Sequence, residues 1–143
     1  MPLAQLNLAH SIAPIDDPIM QDFVNNVDRI NALSEASDGF VWRLEMDETE
    51  ESLGAKSFGS EFILVNMSVW RDRESLFKFV YESAHVDVYK RKKEWFQKMP
   101  KMHMVLWYVE EGHLPTIAEG KHRLEYLQNH GESEFAFSFK SKF

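Results

Sequence analysis

The chain has no cysteine in its 143 residues. Disulfides, thiolate zinc sites and cysteine nucleophiles are thereby excluded, and the absence suits a reducing cytoplasm. Long apolar runs are missing as well: no stretch approaches the roughly 18 residues that a membrane-crossing helix needs. The opening residues "MPLAQLNLAH" carry neither the basic region nor the long apolar region of a secretory leader. Positive charge is scarce, since 16 Lys and Arg face 23 Asp and Glu, for a net charge of −7. Nucleic-acid affinity rests largely on neutralising phosphates, so that balance argues against it. Metal and phosphate motifs are absent too. There is no HExxH, no His pair at i, i+4, no glycine-rich phosphate loop and no GxSxG elbow. The acidic stretch 45–61 lacks the residue order of a calcium loop. The expectation is a soluble, cytoplasmic protein with no nucleic-acid or membrane partner, no metal and no cofactor.

Aromatic residues, by contrast, are plentiful. They reach 13% of the chain, with eleven Phe and four Trp. That exceeds what so small a core needs, so some are expected to line a pocket or an interface. An apolar content of 44% and a charged content of 27% are those of a globular protein. The length predicts one domain, 1–143, which buries roughly 68–70% of its unfolded surface.

Alternation and capping signals divide the chain. "LAQLNLAHS" (3–11) is short, apolar and followed by Pro14, which predicts a strand. Asp17 and Pro18 form an N-cap pair that opens a helix. Met20, Phe23, Val24, Val27, Ile30 and Asn31 recur along it as an inward stripe. "SDG" (37–39) stops the helix, with Gly39 suited to left-handed backbone. "FVWRL" (40–44) predicts a second strand, and the aperiodic stretch 45–61 a mobile hairpin loop. "FILVNMSVW" (62–70) is the strongest strand signal. Asp72 then caps a long helix over 73–97, which Pro100 ends. "MHMVLWYVE" (102–110) predicts a fourth strand. Thr116 and Glu119 have capping-box spacing for a last helix that Gly131 closes. "EFAFSFKSKF" places Phe135, Phe137 and Phe139 on one side of an extended tail. The order β-α-β-β-α-β, with an extra C-terminal helix and tail, is that of an α+β, ferredoxin-like fold on a four-stranded antiparallel sheet.

In such a fold two helices cover one sheet face, and the other is expected to turn polar. Here both faces are apolar. Ile63, Val65, Met67 and Val69 oppose Leu64, Asn66, Ser68 and Trp70; Val105, Trp107 and Val109 oppose Met104, Leu106 and Tyr108. A second copy related by a two-fold axis would cover the spare face and make a dimeric α+β barrel. The alternative is cover by the chain's own last helix and Phe-rich tail.

Chemistry concentrates in "YESAHVDVYKRKKEWF" (81–96). On the predicted helix Tyr81, His85 and Tyr89 share one side at i, i+4 and i+8. An unperturbed histidine titrates at about pH 6.5, so His85 could serve as a general acid or base; it could equally be a half-buried histidine bonded to a nearby oxygen. Lys92 lies at i+7 from His85, and Arg91 lies four residues before Trp95, close enough to stack on it. Either cation could hold a carboxylate or enolate, or simply be solvated. Asn7, Asn31, Asn66 and Ser68 interrupt apolar stretches and must bond each other, water or a ligand. Trp42 and Arg43 fall on opposite faces of their strand. With Trp70, Trp95 and Trp107 they complete a set of candidate ligand-binding residues, while His85, Tyr81 and Lys92 are the catalytic candidates. His10, His103 and His113 read as strand-end or loop residues.

The phrases "LAQLNLAH", "NALSEASDGFVWRL", "LVNMSVW", "YESAHVDVYKRKKEWF", "LWYVEEGHLPT" and "FAFSFK" resemble domain-of-unknown-function family 3291. The resemblance runs from Leu3 to Lys140 and extends to the dimeric α+β barrel superfamily of antibiotic-biosynthesis-type monooxygenases. It implies a homodimer with a pocket between each sheet and its own helices. Relatives use that pocket for cofactor-free oxygenation of aromatic polyketides, for cyclisation or isomerisation, and sometimes for haem, for which His85 would be the first ligand to consider. The expected function is therefore action on an aromatic or conjugated carbonyl compound with His85 as acid–base. The alternatives are a non-catalytic metabolite-binding module and a structural dimer.

Overall fold

The computed structural model describes residues 1–14, 17–44, 63–82, 90–99 and 101–143, with Lys92 described by its backbone alone. The expected loop over 45–61, together with His85 and Tyr89, lies outside the described residues.

The described strands form one antiparallel sheet. The nine residues of β1 (Leu3–Ser11) run through its middle and pair with β3 (Ile63–Trp70) on one side, in the register Leu3–Trp70 to His10–Ile63. β2 (Phe40–Arg43) edges β3, with an irregularity between Phe40 and Trp42. On the other side β1 pairs first with β5 (Met104–Tyr108), over Leu3 to Asn7, and then with the two-residue β4 (Phe96–Gln97) at His10 and Ser11. The strand order is the ferredoxin-like one, with a fifth strand where four were expected.

That fifth strand corrects the long helix predicted over 73–97. Asp72 does cap a helix, its Oδ1 accepting from Ser75 N at 2.8 Å, and α2 is described over Arg73–Glu82. By Lys92–Glu94, however, the chain is in a 3₁₀ turn, and Phe96 is in β4. The cause is tertiary. β5 stops opposite Asn7, so the end of β1 still needs partners on that edge; Ile12 N donates to Trp95 O at 2.9 Å beside the β4 pairing.

Local signals hold better elsewhere. Asp17 Oδ1 accepts from Ile19 N at 3.0 Å and opens a 3₁₀ turn, Pro18–Met20, that runs into α1 (Gln21–Glu35). Gly39 has φ +87°, the left-handed backbone foreseen for it. A Cβ there would lie 2.0 Å from Ser75 Oγ. The last helix, α3 (Ile117–His130), starts where Thr116 Oγ1 accepts from Glu119 N at 3.1 Å.

Three layers result. One sheet face presents Leu3, Trp70 and Leu106, which pack with Leu76 and Phe79 of α2 and with Ile30 and Leu33 of α1. The opposite face presents Ala4, Leu6, Met67, Val69, Val105 and Trp107, which pack with Leu124 and Leu127 of α3. Gly120 permits that close approach, since a Cβ on it would lie 3.2 Å from Leu6 and 3.4 Å from Trp107. The face assigned on sequence grounds to a second copy is thus covered through its middle by the chain's own helix. The inference of a dimer from a bare second face loses its premise there.

The tail also differs from expectation. Leu106 and Phe137 exchange backbone hydrogen bonds at 2.7 and 3.0 Å, so the tail closes the β5 edge. Phe137 and Phe139 pack in the α1–α2 layer, whereas Phe135 packs with Tyr126 on the α3 side. Crossing an edge puts successive parts of the tail over different faces. Arg73 pins it from α2 through the carbonyls of Phe139 and Ser141.

Candidate functional site

On the α1–α2 face, the middle of the sheet is polar. Register places Gln5 between Ser68 and Leu106, and Asn7 between Asn66 and Met104. Gln5 Nε2 donates to Asn66 Oδ1 at 2.6 Å and to Ser68 Oγ at 2.8 Å, and Trp70 Nε1 donates to Ser68 Oγ at 2.9 Å. Gln5 and Ser68 are buried, yet Asn7 and Asn66 are exposed. Asn66 is thus tied to Gln5 through its oxygen, yet its side chain, like that of Asn7, is exposed on this floor.

Apolar packing bounds this floor at both ends. Towards Leu3, Trp70 stacks on Phe79 with centroids 5.1 Å apart and meets the edge of Phe40 at 5.5 Å. Towards Ser11, Phe23 of α1 meets Phe96 at 4.9 Å and the buried Trp95 at 5.6 Å. α1 therefore spans the sheet from one end to the other. Val24 and Val27 lie between its anchored ends and are only half-buried, as are Phe23, Ile30 and Leu33. An apolar helix side that is not fully buried, together with exposed amides, shows that the middle of this face is not sealed as a closed core.

The structure brings together Asn7, Asn66, Ser68 and Trp70 from the expected set. Arg43 shares their face through its pairing with Ser68, and its Nε donates to Glu35 Oε1 at 2.8 Å. Asn31 is half-buried on α1. Trp42 and Trp107 pack on the opposite face with α3. Tyr81 is exposed, touching Phe77 and Phe139 at the outer side of α2.

Arg91 does lie over the Trp95 ring, 4.7 Å from its centroid, but its donors reach Asp22 of α1 at 2.9 Å and Glu94 at 2.8 Å. The Arg91 hydrogen bond holds Glu94 below the ordinary carboxylate range, and Glu94 with Asp22 raises Arg91 further. Arg91 is therefore a latch between the start of α1 and the turn before β4. No group of three or more metal-ligating side chains forms among the described residues, and no described helix is long and apolar enough to cross a membrane.

Two features escaped sequence reasoning. Gln5 holds the floor together, and its position two residues before Asn7, on the same strand face, was the available signal. The second is Glu119. Its spacing from Thr116 predicts a reciprocal helix cap, yet its carboxylate accepts from Trp107 Nε1 at 2.8 Å and meets His113 Nε2 at 2.6 Å. That pair adjoins a hollow of about 80 Å³ lined in part by Val41, Val69, Arg71, Glu110, His113 and Leu114. Another hollow, about 280 Å³, lies between Met102 and the end of α3. Neither hollow is lined by Asn7 or Asn66.

A family described as a domain of unknown function, DUF3291, matches residues 2–143. No curated protein matches the chain. Among solved structures, a conserved protein of Methanosarcina mazei Go1 superposes with a TM-score of 0.57 at 14% identity, covering 77% of this chain and 94% of its own. The protein Rv0793 of Mycobacterium tuberculosis gives 0.56 at 13% identity, covering 79% and 100%. The protein PA3566 of Pseudomonas aeruginosa gives 0.53 at 15%, covering 76% and 94%. At such identities the likeness shows a shared fold.

Proposed function

This chain belongs to the DUF3291 family, and we propose that it binds a small aromatic or conjugated carbonyl compound in the cleft between α1 and the sheet. The observation that carries this is the exposure of Asn7 and Asn66 on a floor otherwise closed by Gln5, Ser68 and Trp70. A purely structural amide network has every member paired in packed surroundings, because an unpaired buried polar group costs about 1–3 kcal/mol. Here Asn66 gives its oxygen to Gln5 but, being exposed, keeps its amide N–H groups for a carbonyl, and the exposed Asn7 offers both a donor and an acceptor. Val24 and Val27 supply the apolar wall against which a ring would lie.

Catalysis is the second step of the proposal. His85 is the proposed acid–base group on the bound compound, and Lys92 the proposed cation that holds negative charge. No cofactor is required. A thermal-shift screen of small aromatic carbonyl compounds tests the binding step. A ligand at a hundred times its Kd stabilises the fold by about 2.7 kcal/mol. The expected result is a hit whose stabilisation is lost in Asn66→Leu; a screen whose hits all stabilise that variant equally overturns the cleft. His85→Ala then separates the roles: turnover lost with affinity kept supports catalysis, and affinity and turnover both unchanged removes His85 from the site.

A further inference from the structure

The His113–Glu119–Trp107 arrangement exceeds what stability asks of it. Trp107 is wholly buried and its indole N–H can only donate, so it requires one acceptor oxygen, and Glu119 Oε2 provides it. His113 is half exposed, where water would satisfy its ring. The helix terminus would itself be served by the Glu119 carboxylate turning back to the Thr116 N–H, the second half of a capping box. Instead the other oxygen, Oε1, holds His113 Nε2 at 2.6 Å. A carboxylate fixed at both oxygens is a rigid mount for an imidazole.

We propose that His113 is the proton-accepting centre of a second site, in which Glu119 keeps Nε2 protonated and leaves the Nδ1 lone pair for a small neutral ligand bearing an O–H or N–H donor. The tautomer follows from the partner, because a carboxylate only accepts and so requires the hydrogen on Nε2. The ligand's size follows from the hollow, whose 80 Å³ or so admits only two or three water-sized groups. Val41, Val69 and Leu114 give it apolar contact, and Val41 and Leu114 are themselves exposed.

The charged groups around the hollow are Glu110, Glu111 and Arg71. Arg71 is already engaged by both Asp38 oxygens at 3.1 Å and by Asp72 at 3.2 Å. Its first demand is met within the protein, which disfavours an anionic ligand. On binding, the ligand's hydrogen is shared with Nδ1, and any positive charge on the ring is balanced by Glu119.

Ethoxyformylation by diethyl pyrocarbonate, mapped histidine by histidine by peptide mass spectrometry, is the test. The reagent's carbonyl carbon bonds to an imidazole lone pair, ethyl carbonate leaves, and the ring sheds its remaining N–H proton. His113 should react at least about tenfold faster than His122, which has no carboxylate mount. Glu119→Gln preserves an acceptor for Trp107 but presents an amide N–H to His113, reversing the tautomer. The fast reaction should then fall to the His122 rate, while Val41→Trp should slow it by filling the hollow without altering the tautomer. Nitrogen-15 shifts of His113 should report Nε2–H in the parent and Nδ1–H in Glu119→Gln. Equal rates for His113 and His122, or a rate indifferent to Glu119→Gln or to Val41→Trp, would overturn the proposal.

Discussion

Single residues decide local geometry most sharply where backbone and neighbours leave no freedom. Gly39 adopts φ +87°, and an added Cβ would sit 2.0 Å from Ser75 Oγ and 2.3 Å from Ser75 Cβ. Ser75 cannot retreat freely, since its N–H caps onto Asp72 and its hydroxyl accepts from Arg71. Gly39→Ala should therefore destabilise the fold by about 1–3 kcal/mol, measured by chemical denaturation; an unchanged midpoint would mean that the α1–β2 turn relaxes without cost. Gly39, Asp17 and Thr116 were all legible because each signal is local: a left-handed turn or a cap depends on a few neighbours in sequence. Glu119 was legible in part: its N–H is capped by Thr116 as the spacing implies, but its carboxylate is not where the spacing puts it. Its spacing promised a cap, but Trp107 and His113, twelve and six residues away, claim its carboxylate.

At the level of elements, α3 is the part whose role sequence reasoning underestimated. Its Leu124 and Leu127 bury against the sheet face that alternation left without a partner. Leu124 is 2% exposed, so Leu124→Ala should cost about 2–5 kcal/mol. A thermal or denaturant midpoint close to that of the parent would show that α3 does not seal this face. Strand signals were easy to read because β1, β3 and β5 are short apolar runs bounded by polar or turn-forming residues. β4 was not, because two residues make no such run. Its existence depends on the vacant edge of β1 beyond Asn7, a property of the sheet that no local window contains. The stretch 92–97, with charged and aromatic residues at helix-compatible spacing, accordingly left the helix it was predicted to continue.

For the whole molecule, apolar residues on both sheet faces meant cover on both sides, and that much was sound. What covers the second side was not decidable from alternation, because a partner copy and a C-terminal helix present the same kind of surface. Gly120 is the particular clue: a small residue within an amphipathic helix marks close approach to a flat neighbour. A homodimer is thus a proposal that needs a surface other than the region under α3. The candidate site was legible in part. Asn7, Asn66, Ser68 and Trp70 fall together as strand alternation implied, whereas Trp42 and Trp107 lie on the α3 side because one-residue steps in a strand reverse the face.

Native mass spectrometry of the protein purified from its own host addresses the cleft most directly. The predicted spectrum shows the 143-residue chain carrying a small organic molecule that is absent from the Asn66→Leu variant, and the same spectrum counts chains per particle. A spectrum containing only the bare chain mass, identical for parent and variant, would contradict a ligand seated on the Asn7–Asn66 floor.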